Sequence, residues 1–439
     1  MKKVKLSIAS LLLAGSSFAQ TVATHAIFVN GGVYGTIGST SVVSYDIAEG
    51  TAFVIDSPMT STVQALLVDG TIAYVAADDS LFAYDLVENK RVAAVDHMLD
   101  YASEDGLAKD FCMVGGKLLM SKQSPATADF VDVINPSDLS YESSIDGIGA
   151  EAADMVLIGD SLYVAVPGGW SATEGNISVI AINDMTVKRT IALGTNGAGL
   201  GNICAVDGKL YGFISASSDW NTGETFPGHV AIIDPVANTT EYVEVTNLGS
   251  GYSSASNIIG VDGSAVFFRN NGNIAKFNTA DNTVTDFIPG LSNLQTGIFD
   301  PVAEKLFVLT GNFASLENGA GYVYNANDGT KLAEFGSVTA SPEQIALFTM
   351  PEVDTTDSVD VTTVLAEADG QVALYPNPAQ AEVTIVGYEN SSVAVYSANG
   401  LRVLSATGTS FDVSCLPAGV YTVLIVANGA VSTQTLIVE

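Results

Sequence analysis

Catalysis near neutral pH draws on histidine, paired carboxylates, an activated Ser or Cys, or a bound metal. The chain has three histidines, His25, His97 and His229, far apart in sequence. No H-E-x-x-H, G-x-S-x-G, C-x-x-C or complete calcium-loop pattern occurs. Asn325-Ala326-Asn327-Asp328-Gly329 has calcium-loop character at its start but lacks the late bidentate Glu, and reads as a hairpin turn. Asp78-Asp79 reads as a short polar turn. Gly194–Gly201 has no following Lys-Ser or Lys-Thr, so it is not a phosphate loop. These patterns assign no catalytic residue, metal ligand or cofactor. What stands out is contact chemistry. Both tryptophans, Trp170 and Trp220, sit in Gly- and polar-rich stretches, as do Tyr34, Tyr101, Phe226, Tyr252 and Phe313. Flat rings on a rigid scaffold can stack on a sugar or macrocycle, or fold back as caps.

The elements that must position these rings come from an internal repeat. Seven times a β-rich run ends in an aromatic or Ile followed by Asp or Asn: Tyr45-Asp46, Tyr84-Asp85, Ile134-Asn135, Ile182-Asn183, Ile233-Asp234, Phe277-Asn278 and Tyr324-Asn325. The spacings run from about 39 to about 51 residues, in the range of propeller blades. The Asp or Asn side chain can bond the backbone two residues on and start a turn. Upstream lies a second hairpin, turned by Asp69-Gly70, Gly115-Gly116, Gly159-Asp160, Asp207-Gly208 or Asp262-Gly263. Each unit therefore has four strands; in the fourth they are expected at Asp154–Ile158, Ser161–Val166, Asn176–Ile182 and Val187–Ala192.

Units of this kind close radially and hide most sheet edges. The first unit begins at Thr24 and lacks its innermost strand, whereas Glu343–Met350 is a spare strand after the seventh. That strand is expected to complete the first blade and close the ring. Within a blade, the loop from second to third strand and the connector to the next blade open on one face. The former is long at Gly31–Ser41, Ser121–Ala128, Pro167–Gly175, Ser215–Gly228 and Gly311–Gly319. These loops carry Tyr34, Trp170, Trp220, Phe226 and Phe313; the connectors carry Tyr101 and Tyr252. Those seven residues are the candidate ligand-binding set.

Cys112 and Cys204 sit in matching contexts, CMVGGKL and CAVDGKL, so they occupy equivalent positions two units apart. Such positions are too distant for a disulfide and read as small buried side chains. With Cys415 the count is odd, and no disulfide framework is expected.

At the front, Lys2, Lys3 and Lys5 precede an apolar run, Leu6 to Ala14, and Ser17-Phe18-Ala19 has small-x-small spacing. Residues 1–19 are expected to be a signal peptide, with the mature chain starting at Gln20. Residues 352–370, acidic and Thr-rich, read as a linker after a 20–351 propeller. Residues 371–439 open with Tyr375-Pro376-Asn377-Pro378, continue as short alternating strands, carry Leu416-Pro417-Ala418-Gly419-Val420-Tyr421 and end in an apolar strand. This segment resembles the type A C-terminal sorting domain of the Bacteroidota type IX secretion system, departing from many relatives in ending on Glu439. The resemblance implies a small Ig-like β-sandwich, a secretion-machinery partner, and delivery through the periplasm to the cell surface or beyond. In residues 176–212 and 311–335 the repeat text resembles the YncE-like seven-bladed propellers and a Bacteroidota surface-propeller group. That group includes a cobalamin-binding member, which makes a corrinoid the ligand that the resemblance implies first.

The fold class expected is thus all-β: a seven-bladed β-propeller followed by a small sandwich. Net charge is −32 and the sequence pI is near 4.1, which argues against nucleic acid and anionic lipid as partners. No stretch reaches the roughly 20 apolar residues of a transmembrane helix. Three function classes remain: capture of a small or medium ligand or glycan, adhesion to a surface protein, and propeller hydrolase or lyase chemistry. Removing residues 371–439 is expected to hold the protein in the periplasm; unchanged surface display, scored by protease shaving of intact cells, would count against a sorting role.

Overall fold

A computed structural model describes residues 22–438 apart from 34, 79, 96–104, 126–129, 150, 169–173, 216, 219–224, 246–247, 249–257, 313–318, 351–372, 387–390, 397–401, 415, 417 and 428–429. The chain divides into two compact units, Met1–Pro351 and Glu352–Glu439.

The first unit contains seven four-stranded antiparallel sheets, as the repeat predicts. In blades two to seven the first strand is innermost: Ala65–Asp69, Asp105–Val114, Met155–Ile158, Leu200–Val206, Ile258–Asp262 and Leu294–Asp300. The first blade takes its innermost strand, Pro342–Phe348, from beyond the seventh, and pairs it with His25–Asn30. Each innermost strand lies beside the next, and the series returns from the seventh blade to Pro342–Phe348. The ring is closed.

Local chemistry accounts for the units. Asp46, Asp85, Asn135, Asp234, Asn278 and Asn325 each accept a hydrogen bond from the backbone N–H two residues on. The fourth blade departs from expectation. Its third strand ends at Ala181, which pairs with Thr186 as Asn278 pairs with Thr283, so Ala181 rather than Asn183 holds the turn position, and Asp184 accepts from the Thr186 backbone as Asp281 does from that of Thr283. The Asp207-Gly208 turn takes φ 49° and 77°, the positive pair that a tight hairpin needs. Asn325–Gly329 is a turn closed by the Gly329 amide on the Asn325 carbonyl.

The core lies between blades. Each neighbouring pair shares a hydrophobic cluster, and the seam between the seventh and first blades is built like the others: Phe307, Leu309, Val323 and Phe335 pack on Phe28, Val43, Tyr45 and Ile345. Tyr45 stacks on Phe335 with ring centroids 4.0 Å apart. The seam also has a polar clasp. Buried Asn30 donates to Ser41 Oγ and the Ser337 carbonyl and accepts from the Thr339 amide.

The second unit has a three-stranded and a four-stranded sheet sharing one core, with Leu374, Val383, Ile385, Val395, Phe411, Tyr421, Val423 and Leu436 buried in it. The Asn377 side chain donates to the Thr435 carbonyl and accepts from the Ile437 amide, so the opening motif grips the last strand.

Pro342–Phe348 buries Ile345 and Phe348 and half-buries Leu347. Losing each buried aliphatic chain costs about 2–5 kcal/mol, and the loss opens an edge on the first blade. A chain truncated after Pro342 is expected to melt far below one truncated after Pro351 in calorimetry; equal melting temperatures would refute closure by this strand.

Candidate functional site at the channel mouth

Topology fixes which residues meet. Each innermost strand runs from the loop-bearing face toward the first hairpin, so its opening residues border the channel at that face. Five innermost strands carry a β-bulge there, with Lys109, Gly201, Ile259, Gln295 and Glu343 as the inserted residues. A bulge leaves one residue out of the ladder and re-aims its side chain. In the third and first blades that residue is charged.

Around these bulges a charged group assembles from separate blades. Lys109 lies within the field of Glu151, from the connector into the fourth blade, and of Glu343, from the first. Glu343 also acts on Arg269, at the end of the sixth blade's second strand. Burial depresses the ionisation of both cations, and the carboxylates oppose that depression. Arg269 is 9% exposed and donates from Nη1 to the Gln295 carbonyl at 2.6 Å. Glu151 is 7% exposed and held at φ 60°, an uncommon conformation for a residue with a side chain. Gly31 leaves room for Glu343: a Cβ there would lie 2.9 Å from Glu343 Cγ.

Beneath this group, two carboxylates bolt neighbouring blades together. Asp110 Oδ2 accepts from the Met155 amide of the fourth blade at 2.9 Å. Asp154 Oδ2 accepts from the Ile203 amide of the fifth at 3.0 Å. Burial, then the charge of Asp154, holds the Asp110 carboxyl well above the usual range. Burial pushes Asp154 up to about 6, opposed by the Ile203 and Asn202 hydrogen bonds. Cys112, two residues beyond Asp110, and Cys204, next to Ile203 on the fifth blade's innermost strand, are free thiols, pushed up to about 12 by burial and the neighbouring aspartates. Cys204 is buried as expected; Cys112 is partly exposed. Within the third blade, Lys122 and Asp132 form an ion pair at 2.9 Å with neither side chain exposed. Ser144 Oγ donates to Asp132. Breaking such a pair by removing one partner costs about 3–5 kcal/mol.

Of the residues singled out in the sequence, Tyr34, Tyr101, Trp170, Trp220, Tyr252 and Phe313 lie outside the described residues. Phe226 is described only in its backbone, which pairs with Ser217 in a small extra hairpin between the second and third strands of the fifth blade. Asp78 does more than turn a hairpin. It accepts from the Ser61 and Thr62 amides and from the Thr62 hydroxyl, tying the connector between the first two blades. Among the described residues, no cluster of three or more His, Cys, Asp or Glu is placed to hold a metal ion.

Residues 373–439 match the family described as the secretion system C-terminal sorting domain. This segment is a type IX sorting domain. The sorting domain directs export to the cell surface or extracellular space, so the propeller works outside the cell. No curated protein matches the chain. Among solved structures, a provisionally assigned 6-phosphogluconolactonase from Bacteroides uniformis is similar, with 13% identity, TM-score 0.52 and coverage of 74% of this chain and 99% of that one. A provisionally assigned 6-phosphogluconolactonase from Bacteroides fragilis is similar too, with 13% identity, TM-score 0.50 and coverage of 74% and 98%. At this identity they bear out the propeller fold alone.

Asp154 gives the propeller a pH dependence. Its carboxyl titrates near 6 when folded against about 3.9 in an unfolded chain. A raised folded value makes this contribution full below about pH 4 and lost as pH rises through about 6, on the order of 3 kcal/mol. Asp110, shifted the same way, extends the loss upward. Asp154→Asn keeps an oxygen for the Ile203 amide without the charge. Its melting temperature is expected to fall less than the parent's between pH 4 and 8, and parallel profiles would exclude the assignment.

Proposed function

We propose that the protein is a surface-delivered binding propeller that captures a small or medium ligand at the loop-bearing mouth of its channel. What supports this reading is charge set close to the innermost strands: Glu343 lies within the field of both Lys109 and Arg269, and Glu151 within that of Lys109, beside the bulges at Lys109 and Glu343. Taking charge out of water is costly. A fold that needed only a sealed ring would fill these positions with aliphatic side chains, as it does elsewhere between blades. Tyr34, Tyr101, Trp170, Trp220, Phe226, Tyr252 and Phe313 belong to loops and connectors whose flanking strands end on this same face, and they would supply walls above the charged floor. Ring faces suit a glycan or a planar macrocycle. Within propellers we group the chain with the YncE-like and Bacteroidota surface-propeller proteins on its repeat text, which keeps a corrinoid first among ligands to try. The expected signal peptide would start the export that the sorting domain completes.

A second reading, adhesion to a surface protein, has its own support. Ile37, in the first blade's long loop, is 67% exposed and Met59, in the following connector, 77%. The two loops are tied by the Gly38 amide on the Thr60 carbonyl. Exposed apolar side chains on a loop face suit protein contact.

The test is a ligand screen on the purified protein, with glycans and cobalamin included, followed by Trp170→Ala and Trp220→Ala. Each substitution is expected to weaken binding by about 2 kcal/mol or more while the melting temperature stays nearly constant. Loss of folding in both, with both rings shielded from quenchers in the parent, would make them caps and remove the aromatic wall from the proposal.

A further inference from the structure

We infer that the secretion machinery docks on the outer face of the last two strands of the sorting domain, around Val420 and Ile437, and not on the edge of the final strand.

The family match fixes the partner and leaves the surface open. A sorting domain has to be recognised apart from the passenger ahead of it, so the docking surface belongs within residues 373–439. The four-stranded sheet there ends in the hairpin of Gly419–Ala427 and Ala430–Val438. Alternation sends Tyr421, Val423, Leu436 and Val438 into the core and leaves Val420, Thr422, Thr435 and Ile437 outside. Val420 and Ile437 stand opposite each other across the two strands, and Thr422 stands opposite Thr435. Val420 is 58% exposed and Ile437 39%. Opposed side chains on one face lie within contact reach. The pair is thus one apolar spot with threonines beside it, and none of the four positions is charged.

The other two surfaces of this unit suit docking less well. On the three-stranded sheet the exposed residues Glu382 and Asp412 stand opposite each other, and Ser410 donates to Glu382. A partner seated there would have to desolvate two carboxylates. The outer edge of the final strand is closed at its end. Asn377 donates from Nδ2 to the Thr435 carbonyl and accepts at Oδ1 from the Ile437 amide, and the Ala379 amide donates to the Ile437 carbonyl. Those backbone groups are the ones that an added strand would need. With them occupied, the end of the chain is read through its side chains. The partner surface that fits is apolar and uncharged, shaped to take two β-branched side chains from a flat sheet face.

The experiment expresses the full chain in a bacterium with a type IX system. Protease shaving of intact cells gives the displayed fraction, and fractionation gives the periplasmic one. Val420→Lys combined with Ile437→Lys is expected to lower display about tenfold or more, with the protein accumulating in the periplasm. Thr384→Lys, exposed on the outer face of the other sheet, is expected to be displayed like the parent. Calorimetry of each purified chain separates lost docking from lost folding. If the double lysine variant fails to fold, Val420→Thr combined with Ile437→Thr carries the test, because it keeps β-branched side chains and loses apolar surface; it is expected to lower display several-fold. A folded lysine or threonine variant displayed like the parent overturns the inference. An equal loss in Thr384→Lys overturns it too, by spreading recognition over the whole domain. Asn377→Ala uncovers the edge of the final strand, and higher display in that variant would move recognition to the edge and overturn docking on the face.

Discussion

The propeller depends on one pairing, between His25–Asn30 and a strand more than three hundred residues later. Hydrogen bonds within each blade are local, and each hairpin carries its own turn chemistry. Nothing local holds blade seven against blade one. That seam needs Pro342–Phe348, the aromatic stack of Tyr45 on Phe335 and the Asn30 clasp. Because every blade interface has an apolar core and each blade is buried by its neighbours, an unsealed seam would expose two largely apolar faces.

Closure also creates the site. Lys109, Glu151, Arg269 and Glu343 are separated by up to 234 positions (343 − 109) in the chain. They become neighbours only because the innermost strands form a ring. Asp110 and Asp154 secure the spacing of the third, fourth and fifth blades. A rigid ring offers preorganised charge at low entropic cost to a ligand.

The division between what was legible and what was not follows this physics. The blades could be read because Asp46, Asp85, Asn278 and their equivalents act on backbone two residues away, and because Asp-Gly pairs force tight hairpins. The closing strand could be read from a count of strands. The tail could be read because Asn377 and its flanking prolines form a compact motif with a local task, gripping the last strand. The charged mouth could not be read. Lys109 sits in an ordinary-looking LAKDF run and Glu343 in SPEQI, and a bulge leaves no period in the text. The signal available was a charged residue inside an apolar innermost strand, which singles out Lys109 and Asp110 once strand order is known. The fourth-blade pair was misread because Ala181 stands where the sixth blade has Asn278, and an Ala offers no side-chain acceptor to mark the turn.

The closing strand also sets a timetable. A ribosome delivers His25–Asn30 early and Pro342–Phe348 only after every other blade has emerged. Until then the first blade has three strands and a bare inner edge able to pair with whatever strand it meets, including a copy of itself on a neighbouring chain. The nascent propeller is thus vulnerable for nearly the whole of its synthesis and becomes safe at one late moment. A protein destined to leave the cell stays an open arc while it is still being made.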